Sequence, residues 1–319
     1  MLTIFCSPKP FTGETTWNQL NALRSWRDIH RDVEIIIFGS PSGAAEAAAE
    51  VSATLVPDIQ TSPSGAPSFN AMVAYVSAHG RHDMLVYANC DILLNATLLK
   101  AMLNVSKRLT RFLLIGECMD LSQGSILDAR DANWTYCLQS FAESGSLSVR
   151  GPAAVDYFGF GKNMWEHLPP VFMGRSLCDQ ALLHYCFRNG IPVVDASRVT
   201  MALHQFHKYS HVCGGLQEVS SGEDWANMRR AHGLYHSVPT IADADLSFSE
   251  DGDIIPARCR GSLLRQMELV LRYKFGLNRV SFILRGLQYL RGKSAVIRNT
   301  MSTEVLLNSW KRSMSSLTE

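Results

Sequence analysis

The amino-acid sequence predicts an α/β fold built on a doubly wound, mostly parallel sheet. Over residues 1–116, short apolar runs typical of strands alternate with segments that favour helices, and this order is that of a parallel sheet with helical crossovers. With 319 residues, of which 46% are hydrophobic and 18% charged, the chain can bury a sizeable core. The sequence therefore favours one large α/β unit.

The first part of the chain alternates regularly between the two kinds of element. We expect strands at Leu2–Cys6, Val33–Phe38, Ala53–Val56, Met84–Tyr87 and Arg111–Gly116. Helices are expected from a cap at Thr15 or Thr16 to about Ile29, and at Gly43–Val51, Phe69–His79 and Asn95–Lys107. The second part is less regular, with strands at Ala154–Phe160, Ile191–Asp195 and Val199–Leu203 and a helix at Asp179–Arg188.

The charge of the chain divides it into a body, residues 1–256, and a basic helical region, residues 257–319. The tail carries 12 Lys or Arg against 3 Asp or Glu, although the whole chain has a net charge of only +1. Leu264, Met267 and Leu271 form an apolar stripe, and Arg265, Arg272 and Arg279 recur at intervals of seven. Such a basic amphipathic region binds an anionic membrane or a partner, or packs on the acidic body.

Composition also bears on the compartment. The eight cysteines have no repeating spacing, and the start of the chain reaches Pro8 and Lys9 too soon for a signal peptide. No uninterrupted apolar run is long enough to span a bilayer. We expect a cytoplasmic protein with reduced thiols, peripheral at the inner membrane if the tail binds lipid. The overall charge gives no sign of a nucleic-acid partner.

Asp91 is the first candidate for chemistry, because it lies just past the end of the predicted strand Met84–Tyr87. In open α/β sheets, ligands bind at the edge where the strands end. A carboxylate there suits a hard divalent cation, which prefers oxygen ligands. The alternative is that Asp91 only caps the next helix.

Several short segments, in order along residues 2–248, resemble a known family. They are Ser7-Pro8-Lys9-Pro10-Phe11, Asn21-Ala22-Leu23-Arg24-Ser25-Trp26, Gly65-Ala66-Pro67, Asn89-Cys90-Asp91-Ile92, Val155-Asp156-Tyr157-Phe158, Pro169-Pro170, Gly174-Arg175, Asp179, His204-Gln205 with His207 and Tyr209-Ser210-His211, Gly222-Glu223 with Asn227, and Ile241-Ala242-Asp243-Ala244. The set is similar to GT-A nucleotide-sugar glycosyltransferases of bacteria and plants. The resemblance implies a GT-A-like, Rossmann-like fold, a nucleotide-diphosphate sugar as donor, and Mn²⁺ or Mg²⁺ as cofactor.

The chain also departs from the family pattern. Glu117-Cys118-Met119-Asp120 stands where the family has Arg-Trp-Asp, and Cys178-Asp179-Gln180 stands for Trp-Asp-Asn. Lys208 replaces an Asp that follows the second family His. These positions flank the expected sugar pockets, so the donor or the acceptor is expected to differ.

The resemblance assigns roles to individual residues. It implies a metal site at Asp91 and His204, donor contacts from Ser7, Lys9, Asn89 and Asp91, substrate contacts from Asp156, Arg175 and His207, and a general base at Asp179. His204, His207 and His211 would share one face of a helix, and a structural zinc site that adds Cys213 is the alternative. Ordinary polar or capping roles remain the alternatives for the three histidines, Asp156 and Asp179. For Lys9 and Arg175 the alternative is a charge that only faces solvent.

Together these observations favour an inverting, metal-dependent glycosyltransferase. Its acceptor would be a glycan or a lipid-linked molecule, most simply in the synthesis of a bacterial surface polysaccharide. Two alternatives stay open: a nucleotidyltransferase of the same fold, and a module that binds a nucleotide or glycan without turnover. The first lacks support, because Ser7-Pro8-Lys9-Pro10 is not the Gly-rich signature typical of that class.

Overall fold

The computed structural model of the chain describes residues 1–122, 127–131, 133–206, 215–234, 238–257, 263–277, 283 and 301–317. Within these ranges, nine strands form a large sheet and four form a small one. Helices pack on both faces of the large sheet, so the body has three layers. The predicted α/β fold with a doubly wound, mostly parallel mixed sheet is confirmed.

The strands are short and mostly buried. The large sheet contains β1 (Leu2–Cys6), β2 (Glu34–Phe38), β3 (Thr54–Val56), β4 (Met84–Ala88), β6 (Leu113–Ile115), β9 (Tyr157–Gly161), β10 (Val193–Asp195), β12 (Leu246–Phe248) and β13 (Ile254–Pro256). The small sheet contains β5 (Ile92–Leu94), β7 (Met119–Leu121), β8 (Leu147–Val149) and β11 (Ala202–Gln205). Its order is β5-β11-β7-β8.

The large sheet has the order β13-β12-β10-β6-β9-β4-β1-β2-β3. Strands β1 to β4 run parallel to one another, and so do β6, β10 and β12. Strand β9 lies between β4 and β6 and runs antiparallel to both. The parallel strands therefore end at one edge, which we call the carboxyl edge, and β9 begins there.

The helices are α1 (Glu14–Arg27), α2 (Ala44–Glu50), α3 (Phe69–His79), α4 (Ala96–Ser106), α5 (Cys137–Glu143), α6 (Cys178–Arg188), α7 (Gly215–Ser221), α8 (Glu223–His232), α9 (Leu263–Leu269) and α10 (Thr303–Ser315). Helix α9 continues into a π-helical turn, Val270–Lys274. Buried side chains of α1, α2 and α4 pack on one face of the large sheet, and those of α3, α6 and α8 on the other. Burial of these apolar faces from water holds the layers together.

Local signals predicted several elements well and missed others. Helix α3 has the predicted bounds, and Asn95 caps α4 by accepting a hydrogen bond from the backbone N–H of Thr97 at 3.1 Å. Helix α1 was expected to begin at a Thr15 or Thr16 cap, but it begins at Glu14. The Thr15 hydroxyl instead donates to the backbone carbonyl oxygens of Pro10 and Thr12, each at 2.7 Å, and Gly13 at φ 56° provides the turn before the helix.

His204 lies in strand β11, one residue beyond the predicted strand Val199–Leu203, and not on a helical face. Its strand pairs antiparallel with β5, which places His204 opposite Ile92. His207 and His211, together with Cys213 of the alternative zinc site, lie outside the described residues.

The described parts of the tail are helical, as predicted, and pack on the body. Arg265 of α9 is buried, and its guanidinium donates to Asp243 at 2.6 Å and to Glu268 at 3.0 Å. Trp310 of α10 has no exposed surface and donates from its indole N–H to the carbonyl oxygen of Ser197 at 2.8 Å. This packing is one of the two outcomes that the sequence left open.

Helix α10 completes the core of the small sheet. Leu306, Leu307 and Trp310 join one hydrophobic cluster with Leu93, Met119 and Leu203, which belong to β5, β7 and β11. The division into residues 1–256 and 257–319 stays a prediction, as does membrane binding by the tail. In the described part of the chain, no helix is both long and apolar enough to cross a bilayer.

Trp310→Ala is expected to lower the free energy of unfolding by about 3–5 kcal/mol, because it leaves a cavity and an unpaired carbonyl oxygen at Ser197. Urea denaturation followed by circular dichroism measures the change. Val305→Ala is the matched control on the same helix, since Val305 is 44% exposed, and its effect should stay within about 0.5 kcal/mol. Equal midpoints for parent and Trp310→Ala would contradict the packing role of α10.

Candidate active site

Polar side chains from several elements meet at the carboxyl edge. Lys9 follows β1, Asn89 and Asp91 follow β4, and Asp156 immediately precedes β9. Because β9 is antiparallel to β4, its first residues lie beside the last residues of β4. The sheet topology therefore brings together side chains, such as those of Asn89 and Asp156, that are more than sixty residues apart in the sequence.

Lys9 and Asp91 form an ion pair at this edge. The Lys9 Nζ lies 2.8 Å from Asp91 Oδ2, and the Asp91 side chain is almost completely buried. The amide of Gln19 fixes the Lys9 backbone from both sides: its Oε1 accepts from the Lys9 N–H at 2.7 Å, and its Nε2 donates to the Lys9 carbonyl at 3.0 Å. Lys9 is thus held in place while its ammonium group stays partly exposed.

A buried network of side-chain amides supports the loop that carries Asp91. The Gln205 amide donates to the carbonyl oxygens of Asn18 and Asp91 at 2.8 and 3.2 Å. Asn21 donates to the carbonyl of Leu127 at 2.6 Å, and Trp26 donates to the carbonyl of Ile92 at 2.8 Å. These bonds satisfy backbone groups that are out of reach of water, so helix α1 fixes the path of the chain around Asp91.

Asn89 joins Asp156 by two hydrogen bonds. Its backbone N–H donates to the Asp156 carbonyl at 2.9 Å, and its side-chain Nδ2 donates to Asp156 Oδ1 at 3.0 Å. The Tyr87 hydroxyl donates to Asn89 Oδ1 at 3.2 Å. The Asn89 side chain is therefore oriented by Tyr87 and Asp156, and its contact with a donor stays a prediction.

Arg150 links the two sheets. Its Nε lies 3.1 Å from Asp156 Oδ2 at the large sheet, and its Nη1 donates to Asp120 Oδ1 of β7 at 2.9 Å. The Nδ1 of His204, from β11, lies 2.7 Å from the same Asp120 oxygen and 2.7 Å from Arg150 Nη1. The Arg150 side chain is only 22% exposed. One cation therefore bridges two carboxylates and an imidazole.

The charges in this cluster support one another. Burial alone would raise the pKa of the Asp120 carboxyl, but the hydrogen bond with His204 and the charge of Arg150 together lower it. Burial opposes the charged form of Arg150, yet Asp156 and Asp120 raise its pKa above the ordinary value. The Asp120 carboxylate and the Arg150 guanidinium therefore stay ionised near neutral pH.

Asp179 lies next to this cluster, in the first turn of α6. Its Oδ2 accepts from the backbone N–H of Val155 at 3.3 Å, and its Oδ1 accepts from the N–H of Gln180 at 3.1 Å. Burial raises the pKa of the Asp179 carboxyl to about 7, although the two backbone bonds oppose the rise and nearby Asp156 adds to it. A carboxyl that titrates near neutral pH can both take and return a proton.

The backbone before Asp179 is unusual. Leu177, which immediately precedes α6, has φ 76° and ψ −3°, in the left-handed region that few residues other than Gly adopt. This conformation costs roughly 1–2 kcal/mol. The surrounding structure holds that strain beside the candidate base, which is where strained residues tend to occur.

Arg175 has a different environment from the one predicted for a substrate contact. Its Nε lies 3.4 Å from Asp224 Oδ2, and its Nη2 donates to the Ser64 hydroxyl at 2.9 Å. Asp224 also accepts from the hydroxyls of Ser62, at 2.6 Å, and Ser64. Arg175 and Asp224 are both buried. The structure gives Arg175 a bridging role between the loop at Ser62–Ser64 and helix α8, and its substrate contact stays a prediction.

The remaining predicted residues are placed only in part. Ser7 follows β1 at the carboxyl edge and is half-buried, whereas His207 lies outside the described residues. His204 lies opposite Ile92, the residue after Asp91, but the printed contacts of its ring are with Asp120 and Arg150. A metal ion shared by Asp91 and His204 stays a prediction, and the positive charge of Arg150 opposes it.

The protein oxygens at the carboxyl edge fit a metal ion that takes most of its ligands from the substrate diphosphate. Among the described residues, no three His, Cys, Asp or Glu side chains are grouped closely enough to bind an ion by themselves. Mg²⁺ at a diphosphate commonly takes only one or two carboxylates from the protein. Asp91 supplies one such oxygen, and Lys9 already marks this position as one that binds positive charge.

Sequence patterns did not reveal every residue of the cluster. Arg150 follows β8 without any motif around it, and the amide network of Asn18, Asn21 and Gln205 gave no chemical signal. Asp120 was noted only as part of a departure from the family pattern. The usable signals were the Asn21–Trp26 and His204-Gln205 segments of the resemblance, whose polar residues prove to support the site.

Asp179→Asn is expected to change how the stability of the protein depends on pH. The folded parent keeps a proton on Asp179 up to a pKa of about 7, whereas the unfolded chain loses it near 3.8. Between these values the folded state binds more protons, so its free energy of unfolding falls as pH rises and levels off above about pH 7. Asp179→Asn has no carboxyl to ionise here and so does not lose this stability. The melting temperature of the variant minus that of the parent should therefore increase from pH 4.5 to pH 8.

Thermal unfolding at pH 4.5, 6 and 8 measures the difference. Asp83→Asn is the matched control, since the Asp83 side chain is 96% exposed, and its difference from the parent should be nearly constant. The same constant difference for Asp179→Asn would show that the Asp179 carboxyl titrates like an exposed one.

Comparisons with known proteins give structural neighbours at low identity. No family model matches the chain, and no curated protein matches it. Among solved structures, S. aureus TarS 1–349 in complex with UDP-GlcNAc aligns with a TM-score of 0.29 and 12% identity, over 39% of this chain and 36% of that one. The chain thus spans about a third of TarS 1–349.

Two other neighbours align over most of their length. Glucosyl-3-phosphoglycerate synthase from Mycobacterium tuberculosis, solved with Mn²⁺, UDP and glucosyl-3-phosphoglycerate, has a TM-score of 0.41 and 13% identity, over 80% of this chain and 86% of that one. A mycobacterial protein has a TM-score of 0.44 and 13% identity, over 81% and 85%. Of these three, the two whose names state what they bind were solved with a uridine nucleotide.

Proposed function

We propose that this chain is a glycosyltransferase that moves a sugar from a nucleotide-diphosphate donor to a hydroxyl group of an acceptor. The observation that carries the proposal is the meeting, at one edge of the sheet, of a carboxyl with a pKa of about 7, the Lys9–Asp91 pair and the Arg150 cluster. Sugar transfer requires a base for the hydroxyl and positive charge for the leaving diphosphate, and this edge offers both.

The donor end of the site is assigned to Lys9 and Asp91. Lys9 is fixed by Gln19 and keeps a partly exposed ammonium, so it can bind a diphosphate oxygen. Asp91, together with the diphosphate, would hold Mn²⁺ or Mg²⁺, and such an ion supplies charge neutralisation for the leaving group. Ser7 and Asn89 line the same strand ends and would contact the nucleotide or the sugar.

The acceptor end is assigned to Asp179. Its carboxylate takes the proton of the acceptor hydroxyl while the hydroxyl oxygen forms a bond to the anomeric carbon. The bond from that carbon to the diphosphate oxygen breaks, and its electron pair leaves with the nucleotide diphosphate. Attack opposite the leaving group inverts the anomeric centre, so inversion is part of the proposal.

Asp156 and Arg150 orient the site between these two ends. Asp156 accepts from Asn89 and pairs with Arg150, so its carboxylate is held at a fixed position next to Asp179. A carboxylate so placed can also accept hydrogen bonds from sugar hydroxyls. A glycan or lipid-linked acceptor, as in surface polysaccharide synthesis, is the class that we propose.

Nucleotide binding is the first test. In a thermal-shift screen of UDP, GDP, ADP and dTDP with and without Mn²⁺, at least one diphosphate should raise the melting temperature of the parent more with the metal than without. Asp91→Ala should lose the metal-dependent part of that shift, because its carboxylate supplies the protein oxygen. Asp83→Ala, at an exposed carboxylate, should keep it.

A screen without any stabilising diphosphate would contradict the proposed donor class. An unchanged metal-dependent shift in Asp91→Ala would leave the donor class intact and remove Asp91 as a ligand.

Catalysis is tested by Asp179→Asn, which keeps the size of the side chain and removes its basicity. Hydrolysis of the donor identified by the screen, with water as the acceptor, should fall by ~10² or more, which is the scale of general-base loss. Donor affinity measured by calorimetry should stay within about twofold. In the parent, the rate should rise with pH up to about 7, as the Asp179 carboxyl ionises. A near-parental rate in the variant would exclude Asp179 as the base and favour a retaining mechanism.

A further inference from the structure

A second cavity lies at the opposite edge of the large sheet from the candidate active site. Its volume is about 420 Å³, and Arg111, Arg188, His167, His184 and His232 contribute to its lining. Arg111 precedes β6, and Arg188 ends α6, which leads into β10. The cavity thus lies where the parallel strands begin. A volume of this size is within the range of small-molecule sites.

Positive charge exceeds negative charge in the lining, which has two arginines and one glutamate. Arg111 and Arg188 are exposed at the cavity, and in the described part of the chain neither forms an ion pair with a carboxylate. The Arg111 Nη2 donates only weakly, at 3.4 Å, to the carbonyl of Met164. Among the described residues that line the cavity, Glu166 is the one that is acidic. The two guanidinium groups therefore keep most of their donors for another partner.

Two buried histidines form the inner wall. His184 Nδ1 lies 2.7 Å from the Tyr273 hydroxyl, and His232 Nε2 lies 3.2 Å from the Pro170 carbonyl. Burial, with the charges of Arg272 and Arg188, lowers the pKa of His184 to about 3. Burial also lowers the pKa of His232, and Arg188 adds to the effect. The arginine charges thus act across the cavity.

The helix ends at this edge do not cancel that charge. The last turn of α6 is capped by Asn189, whose Nδ2 donates to the Tyr185 carbonyl at 2.8 Å. The last turn of α8 is closed by the backbone N–H of Leu234, which donates to the Arg229 carbonyl at 3.0 Å. With these carbonyl oxygens satisfied, the negative ends of the helix dipoles are partly masked.

We propose that this cavity is a binding site for a small anion that carries a phosphoryl group. Arginine forks match the oxygens of a phosphate, and two of them line one cavity that is large enough for a phosphate with an organic part. The site is separate from the carboxyl edge, so the proposal does not depend on the glycosyltransferase assignment.

The test uses inorganic phosphate and glycerol 3-phosphate as probes, against sodium chloride at equal ionic strength. At least one probe should raise the melting temperature of the full-length parent with a saturable dependence on concentration. Arg111→Gln and Arg188→Gln should each weaken the fitted affinity about tenfold or more, because each removes a charge-assisted fork. Arg31→Gln, at an exposed arginine elsewhere, should not change it.

Lys9→Gln separates this site from the candidate active site, since it should leave the phosphate response intact. A response only to glycerol 3-phosphate would show that the site binds a phosphorylated metabolite. An equal response to both probes would show that the site binds the phosphate group itself. The absence of a saturable response to either probe in the parent would overturn the proposal. An equal response in parent and arginine variants, or loss of the response in Lys9→Gln, would do the same.

A second measurement does not depend on variants. Phenylglyoxal modifies accessible arginines, and peptide mass spectrometry locates the product. The binding probe should slow modification of Arg111 and Arg188 by about threefold or more and leave the rate at Arg31 unchanged. If the probe changes the modification rate at none of the three arginines, the ligand is bound elsewhere.

Discussion

The ion-pair cluster around Arg150 is the interaction on which the candidate site depends. A guanidinium that is mostly withdrawn from water must be compensated by nearby carboxylates, and here one comes from each sheet, Asp156 and Asp120. The pairing is possible because β9 runs against its neighbours and presents its first residues at the carboxyl edge. Removal of the cation would leave two carboxylates facing each other, so the relative position of the two sheets and the geometry of the site are tied to one side chain.

Two features around Asp179, at the same edge, lower the stability of the folded chain. Desolvation raises the pKa of the Asp179 carboxyl to about 7, so the folded protein favours its neutral form. Leu177, two residues earlier, adds backbone strain. Neither feature helps the chain to fold. Both are tolerated because the apolar layers on either side of the large sheet stabilise the fold independently of this loop.

The sequence predicted the parts of the fold whose signals are local. Helix α3 and the strands β1, β2 and β4 were placed because their apolar patterns lie within a few residues. Asp91 followed from a strand end, whereas Lys9, Asn89 and Asp156 followed from the family resemblance. Strands β5, β7 and β8 were not predicted, so the small sheet was missed. Arg150 and the burial of Trp310 depend on contacts between distant segments, which no local pattern encodes. The raised pKa of Asp179 arises from burial, which is likewise a property of the folded chain.

The contribution of α10 to the core of the small sheet has a consequence for synthesis on the ribosome. The strands of that sheet are complete by Gln205, but Trp310, which covers one of their faces, follows about a hundred residues later. Since synthesis adds ~5–20 residues per second, the apolar side chains of β5, β7 and β11 stay exposed for roughly 5–20 s before Trp310 is made. During that interval the nascent chain exposes apolar surface on the small sheet, next to the candidate active site. We therefore expect chaperones to contact this sheet more than the larger one.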